Sequence, residues 1–190
     1  MKLRLAIAGI LFLGVFSAVL KGQQEPTLEA FVGYSNLRVR PADPGLGYFS
    51  LQGGDVQGAL RLSKWLSAVA DIAVYATGHQ ASQTIGIELH GTAVSYLFGP
   101  RVSYRHGSRL TLFGQVLFGV GHSGAGLFAT SRAQNAFAFG AGGGIDFRIK
   151  EHLAIRPIAI DYLRTGFHEQ TNRTLVQNNT RYSTGIVFRF

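Results

Sequence analysis

The sequence has no cysteine among its 190 residues, which excludes a disulfide framework and leaves hydrogen bonding and burial to hold the fold together. Proline is scarce, with five residues, and tryptophan and methionine occur once each. Beyond Leu20 no stretch is apolar enough for a membrane-spanning helix, and none keeps a helical period. Charged residues make up only 15% of the chain. The formal balance of +8 is scattered rather than gathered into a basic run interleaved with aromatics, which argues against a nucleic-acid partner.

What is present begins with MKLR, then LAIAGILFLGVFSAVL, sixteen uncharged residues, then the polar KGQQ. A short positive segment followed by a short apolar one has the shape of a secretory signal peptide. A membrane-anchoring helix is the rival reading, since sixteen apolar residues lie near the lower limit of roughly 17 for a spanning helix. The signal is expected over residues 1–23, with cleavage between Ala18 and Glu25 left open because no A-x-A pattern occurs there. Loss of Lys2, Arg4 and Lys21 would leave 15 basic against 10 acidic residues, a mature balance of +5.

Residues 24–190 read as one domain. Glycine is abundant, at 25 residues, and apolar and aromatic residues come in short stretches separated by polar or turn-rich ones. Eight strands are predicted: Thr27 to Arg38, Asp55 to Lys64, Ser67 to Gly78, Gly91 to Tyr104, Arg109 to Gly121, Asn135 to Arg148, His152 to Phe167 and Asn178 to Phe190. Tight connections (Lys64 to Ser67, Arg105 to Ser108, Ile149 to Glu151) alternate strictly with long polar ones (Val39 to Gly54, His79 to His90, His122 to Gln134, His168 to Gln177). An up-and-down meander with that alternation puts the tight turns and both termini at one end and the long loops at the other. Strands of about eleven residues match the length of a tilted membrane-spanning strand. The expected fold is therefore all-β, an eight-stranded antiparallel up-and-down transmembrane β-barrel.

The two faces of each strand differ. In FAFGAGGGIDFR, Phe137, Phe139, Ala141, Gly143, Ile145 and Phe147 form one face, and Ala138, Gly140, Gly142, Gly144, Asp146 and Arg148 the other. In the second strand Gly58, Leu60 and Leu62 oppose Gln57, Ala59 and Arg61, and in the last Tyr182, Thr184, Ile186, Phe188 and Phe190 oppose Arg181, Ser183, Gly185, Val187 and Arg189. A soluble barrel with a greasy lumen would turn the charges out, whereas a membrane barrel would turn them in. A lipid-facing Arg costs roughly 2 to 4 kcal/mol at the midplane. Inside a narrow barrel such groups can pair, with glycines making room for their side chains. Arg61, Asp71, Arg101, Asp146, Arg148, Arg181 and Arg189 are accordingly expected to form a charge network in the lumen. The seventh strand breaks the pattern, because Arg156 and Asp161 differ in parity. A bulge is expected at Pro157, unless Arg156 snorkels at the membrane edge.

The segments GYSNLRV from Gly33, KWLSAVADIAVY from Lys64, YLFGPRVSY from Tyr96, GGGIDFRI from Gly142, IRPIAIDYLRT from Ile155 and STGIVFRF from Ser183 resemble small eight-stranded outer-membrane β-barrel domains of the OmpA-like type. The resemblance spans nearly the whole mature chain and is specific for architecture rather than function. It implies that the last strand, with Tyr182, Ile186, Phe188 and the terminal Phe190, is the signal read by the outer-membrane assembly machinery. The competing reading makes Phe190 an interfacial aromatic.

Motifs for other chemistry are weak. GVGHSG, Gly119 to Gly124, matches G-x-G-x-x-G but opens no helix within a βαβ unit, so no dinucleotide site is expected. His122 and Ser123 could act as base and nucleophile only if the loop begins there, because adjacent strand residues point to opposite faces, and no partner carboxylate is identifiable. The six histidines, His79, His90, His106, His122, His152 and His168, lack metal-ligand spacing. The sequons at Asn172 and Asn178 read as ordinary loop residues, and Trp65 suits an interfacial girdle. The expectation is an outer-membrane protein of a Gram-negative-type bacterium with a structural or surface-interaction role. Its partners are outer-membrane lipid and the assembly machinery, without catalysis, metal or cofactor. With the chain ending at Phe190, no peptidoglycan-binding module is expected after the barrel. The alternatives are a lipid-modifying barrel hydrolase, which Ser123→Ala would inactivate, and a narrow pore, which would conduct in planar bilayers.

Overall fold

Strands that alternate apolar and polar residues must bury one face, and a sheet with unpaired edges exposes a row of orphan N–H and C=O groups; closure removes both problems together. The computed structural model describes residues 27–40, 49–76, 92–107, 109–123, 134–168 and 174–190. The segment expected to be the signal, residues 1–23, lies outside them. Eight strands follow in chain order: β1 (Leu28–Arg40), β2 (Phe49–Arg61), β3 (Leu66–Ala76), β4 (Thr92–His106), β5 (Leu110–Ser123), β6 (Gln134–Lys150), β7 (Leu153–His168) and β8 (Thr174–Arg189). Each pairs antiparallel with the next, and β1 pairs with β8, giving a closed barrel.

The tight connections fall at one end, where β2 turns into β3 with Leu62 and Ser63 N–H both donating to the Leu66 carbonyl, at 2.9 and 3.0 Å. Closure is completed at that end by Thr27 N–H donating to the Phe190 carbonyl (2.7 Å) and Phe190 N–H to the Leu28 carbonyl (2.8 Å). Two strands start earlier than the sequence indicates. β2 begins at Phe49 and runs through Gly53 and Gly54, which read as turn residues. A Cβ at Gly53 would lie 1.8 Å from the Val74 carbonyl oxygen, so glycine here permits close strand approach instead of marking a turn. β8 begins at Thr174 because it pairs with the end of β7 as far as His168.

The irregularity expected in β7 is present. Arg156 pairs with Gly185 and Ala159 with Ser183, so three steps along β7 span two along β8, and Pro157 and Ile158 are both exposed. The extra residue restores parity: Arg156 and Asp161 are both buried in the lumen, and Arg156 does not snorkel.

The outer wall carries the large apolar side chains, among them Val32, Ile72, Phe98, Val116, Phe118, Phe137, Ile160 and Ile186, all exposed. Water would penalise such a band, whereas a bilayer accommodates it. Trp65 is exposed in the β2–β3 turn, and Tyr104 near the end of β4.

Candidate functional site: the lumen

Inward parity brings polar side chains from seven strands, β2 to β8, into a fully buried network. Arg181 of β8 is its centre. Its Nη1 and Nη2 donate to the two carboxylate oxygens of Asp71 on β3, at 2.8 and 2.9 Å, while Nε and Nη2 donate to Asp161 Oδ2 on β7, at 3.1 and 2.8 Å. Arg156 makes a second two-pronged pair, Nε to Asp146 Oδ1 at 2.7 Å and Nη2 to Asp146 Oδ2 at 3.2 Å. Such fork-to-carboxylate geometry is the strongest form of ion pair.

Two glutamines join these pairs. Gln57 accepts on Oε1 from Arg156 Nη1 (2.8 Å) and from Arg101 Nη2, and donates from Nε2 to Asp71 Oδ2 (2.8 Å). Gln115 accepts on Oε1 from Arg101 Nε (3.1 Å) and Nη2 (2.7 Å), and donates to Asp161 Oδ1 (2.9 Å). An amide can accept from a cation and donate to an anion, so each glutamine bridges groups of opposite charge. Ser183 Oγ donates to Asp55 Oδ2 at 3.0 Å. The Arg156 guanidinium carbon lies 4.4 Å from the Phe31 ring centroid and 4.3 Å from that of Phe113, and Arg101 lies 4.5 Å from Phe113, so aromatic faces cover what the acceptors leave. Space comes from Gly142, where a Cβ would sit 2.4 Å from Asp161 Oδ1.

Of the residues expected in the lumen, Asp71, Arg101, Asp146 and Arg181 meet in this network. Arg189 lies toward the tight-turn end, with Nε 3.1 Å from Glu29 Oε1 and Nη2 3.9 Å from Asp146, and Arg61 approaches Glu29 at 3.7 Å from a partly buried position. Arg148 does not belong to the lumen. It is exposed at the tight-turn end of β6, between register shifts at Ile145/Phe147 and Arg148/Lys150, although its backbone still pairs with Ala154 on β7 and its N–H donates to the Arg109 carbonyl at 2.8 Å. Arg156 and Asp161 join the network through the bulge expected at Pro157. Asp55, Gln57 and Gln115 are further members that the sequence did not single out, since the glutamines carry no charge to draw attention.

Toward the long-loop end the lumen carries apolar and uncharged polar side chains instead of ions. A cavity of about 50 Å³ is lined there by Leu37, Leu51, Tyr75, Leu97, Ala138 and Leu163 together with Ser95, Thr165, Gln177 and Asn179. The β5 ladder runs regularly through His122 and Ser123, paired with Val94 and Ala93, so the loop does not begin at His122 as a His–Ser pair would require. His122 Nδ1 instead meets Asn135 Oδ1 at 2.7 Å. Asn178, the expected start of the last strand, lies inside β8 and accepts from Tyr162 OH at 2.6 Å, while Asn172, His79 and His90 lie outside the described residues.

No family model and no curated protein matches the chain. Solved structures do. Ail, the attachment invasion locus protein of Yersinia pestis, superimposes with a TM-score of 0.57 at 17% identity, covering 88% of this chain and 100% of that one. Neisserial surface protein A gives 0.64 at 12% identity, covering 86% and 97%. The N-terminal β-barrel domain of Pseudomonas aeruginosa OprF gives 0.52 at 13% identity, covering 88% and 100%. The chain has the fold of a small eight-stranded bacterial outer-membrane β-barrel. Its closed eight-stranded architecture, apolar outer wall and charged lumen agree with that fold.

Proposed function

We propose that this barrel is a closed element of the outer membrane with a structural or surface-interaction role at its long-loop end, without catalysis and without an open pore. The observation that carries the reading is Arg181, which ties β3, β7 and β8 together across the lumen through Asp71 and Asp161. An ion or solute passing the barrel would have to break several charge-assisted hydrogen bonds in a water-poor interior. Arg61, Asp71, Arg101, Asp146 and Arg189, with Arg181, serve in this reading as a plug and as internal struts. Tyr182, Ile186 and Phe188 alternate outward along the closing strand and Phe190 follows them, an arrangement suited to recognition by the assembly machinery before closure. The protein refolded into planar bilayers is expected to show no discrete single-channel steps. Regular openings of the unmodified protein would favour the narrow pore instead.

A further inference from the structure

The ionic network does not fill the lumen to the long-loop end. Leu117 and Leu163 stand one inward position beyond Gln115 and Asp161, and with Leu97 they converge over Gly140, where a Cβ would lie 2.8 Å from Leu163 Cδ2 and 3.8 Å from Leu117 Cβ and Leu97 Cδ1. Beyond this leucine plate lies the cavity of about 50 Å³. Three polar atoms of its lining are shielded from solvent and have no hydrogen-bond partner: Ser95 Oγ on β4, Thr165 Oγ1 on β7 and Gln177 Oε1 on β8. Buried polar groups in folded proteins are hydrogen-bonded with few exceptions, so three in one cavity call for an occupant. Asn179, also on the lining, is satisfied, its Oδ1 accepting from the Arg40 N–H at 3.3 Å. Register gathers the three unpaired groups. Thr165 pairs with Gln177, Ser95 pairs with Gly121, and Thr165 Cγ2 reaches to 3.7 Å from where a Gly121 Cβ would stand. Among the described residues, no Asp, Glu, Lys or Arg lines the cavity.

We infer that this cavity is a binding site for a small uncharged molecule that carries a primary carboxamide on a short apolar tail. Size sets the first limit. One water needs about 10–15 Å³, so a cavity of about 50 Å³ has room for a guest of a few heavy atoms. The unpaired atoms set the chemistry. Gln177 Oε1 only accepts, so the guest must donate, whereas the hydroxyls of Ser95 and Thr165 can turn to donate or accept. A primary carboxamide brings two N–H donors and one carbonyl acceptor, enough to engage all three. Its alkyl end then packs on Leu97 and Leu163. Charged guests fit poorly: a cation would meet no carboxylate and a carboxylate would turn toward Gln177 Oε1 without a proton to offer, and each would lose its hydration against leucine. The leucine plate separates the guest from the ions, so binding leaves the network intact.

The test titrates the full-length chain, refolded in phosphatidylcholine nanodiscs with labelled threonine and leucine methyl groups, with acetamide, acetate and acetamidinium at neutral pH. The three probes share one shape and differ in charge. Saturable shifts of the Thr165, Leu97 and Leu163 methyl signals are expected with acetamide, in the millimolar range for so small a molecule, and about tenfold weaker or absent with the two ions. Gln177→Met, which keeps the bulk and removes the acceptor, should weaken acetamide binding about tenfold or more, and Ala138→Leu, which fills the cavity, should abolish it. Tyr162→Phe, on the outer wall at the same end, should bind as the unmodified barrel does. Heat-modifiable migration identifies the variants that remain closed barrels, and the comparison of the three probes on the unmodified chain needs no variant. Acetamide shifts that never saturate would mean that the cavity holds water only and would overturn the site. Equal binding by Gln177→Met, or equal loss in Tyr162→Phe, would overturn it as well. Acetate or acetamidinium binding as tightly as acetamide would overturn the assignment to an uncharged amide.

Discussion

Arg181 shows at the scale of one residue why the lumen is stable only as a complete set. Both oxygens of Asp71 and one of Asp161 depend on it, and its side chain is fully buried. Replacing it by methionine keeps the bulk but leaves two carboxylates without their cation, and removal of one partner from a buried pair costs about 3–5 kcal/mol. Urea unfolding in micelles should show a loss of that order for Arg181→Met. Arg148→Ala, exposed at the rim, should change stability by no more than about 0.5 kcal/mol. A loss for Arg181→Met as small as that for Arg148→Ala would mean that the network contributes little. Residues such as Asp71 and Arg101 are legible in sequence because a charge inside an oily strand has one affordable direction to face. Gln57 and Gln115 are not, since an amide is tolerated in many surroundings and nothing local shows that it will bridge two ions.

Among the elements, β7 is where period two alone is insufficient. Its extra residue lies between Arg156 and Ala159, and both bulge residues, Pro157 and Ile158, face outward. Deleting Pro157 should therefore be tolerated: the strand becomes regular, and Arg156 and Asp161 keep their inward parity. Deleting Tyr162 should not be, because Asp161 and Leu163, both inward, would become neighbours and one of the two flanking segments would turn its inward side to lipid. Heat-modifiable migration after refolding distinguishes the cases, and equal behaviour of the two deletions would contradict the register. Proline in a strand signals such a bulge from sequence, whereas the early start of β2 was hidden because Gly53 and Gly54 look like a turn until Val74 is seen to pack against them. β8 offers another separation of roles. Phe190 is half-exposed, and its backbone, not its ring, makes the closing hydrogen bonds. Phe190→Ala should thus refold in micelles nearly as well as the parent while inserting poorly into the outer membrane of living cells. Equal insertion of the two would reduce Phe190 to an interfacial anchor.

For the whole molecule, the consequence of these parities is a barrel turned inside out relative to a soluble protein: valine, isoleucine and phenylalanine outside, arginine and aspartate inside. The alternation of tight and long connections and the length of the strands make this architecture readable without a structure, because each follows from bilayer thickness and from the need to close the sheet. The central claim, that the closing strand turns its apolar face to lipid and its polar face to a sealed lumen, can be measured at four positions of β8. The chain has no cysteine, so single cysteines at 182, 183, 186 and 187 can each carry a nitroxide in the barrel reconstituted in lipid bilayers. Labels replacing Tyr182 and Ile186 should collide freely with oxygen dissolved in the bilayer, and labels replacing Ser183 and Val187 should be shielded from both oxygen and a water-soluble nickel chelate. The reverse alternation, or nickel access at Ser183 and Val187, would contradict the inward placement of the charges and the closed lumen together.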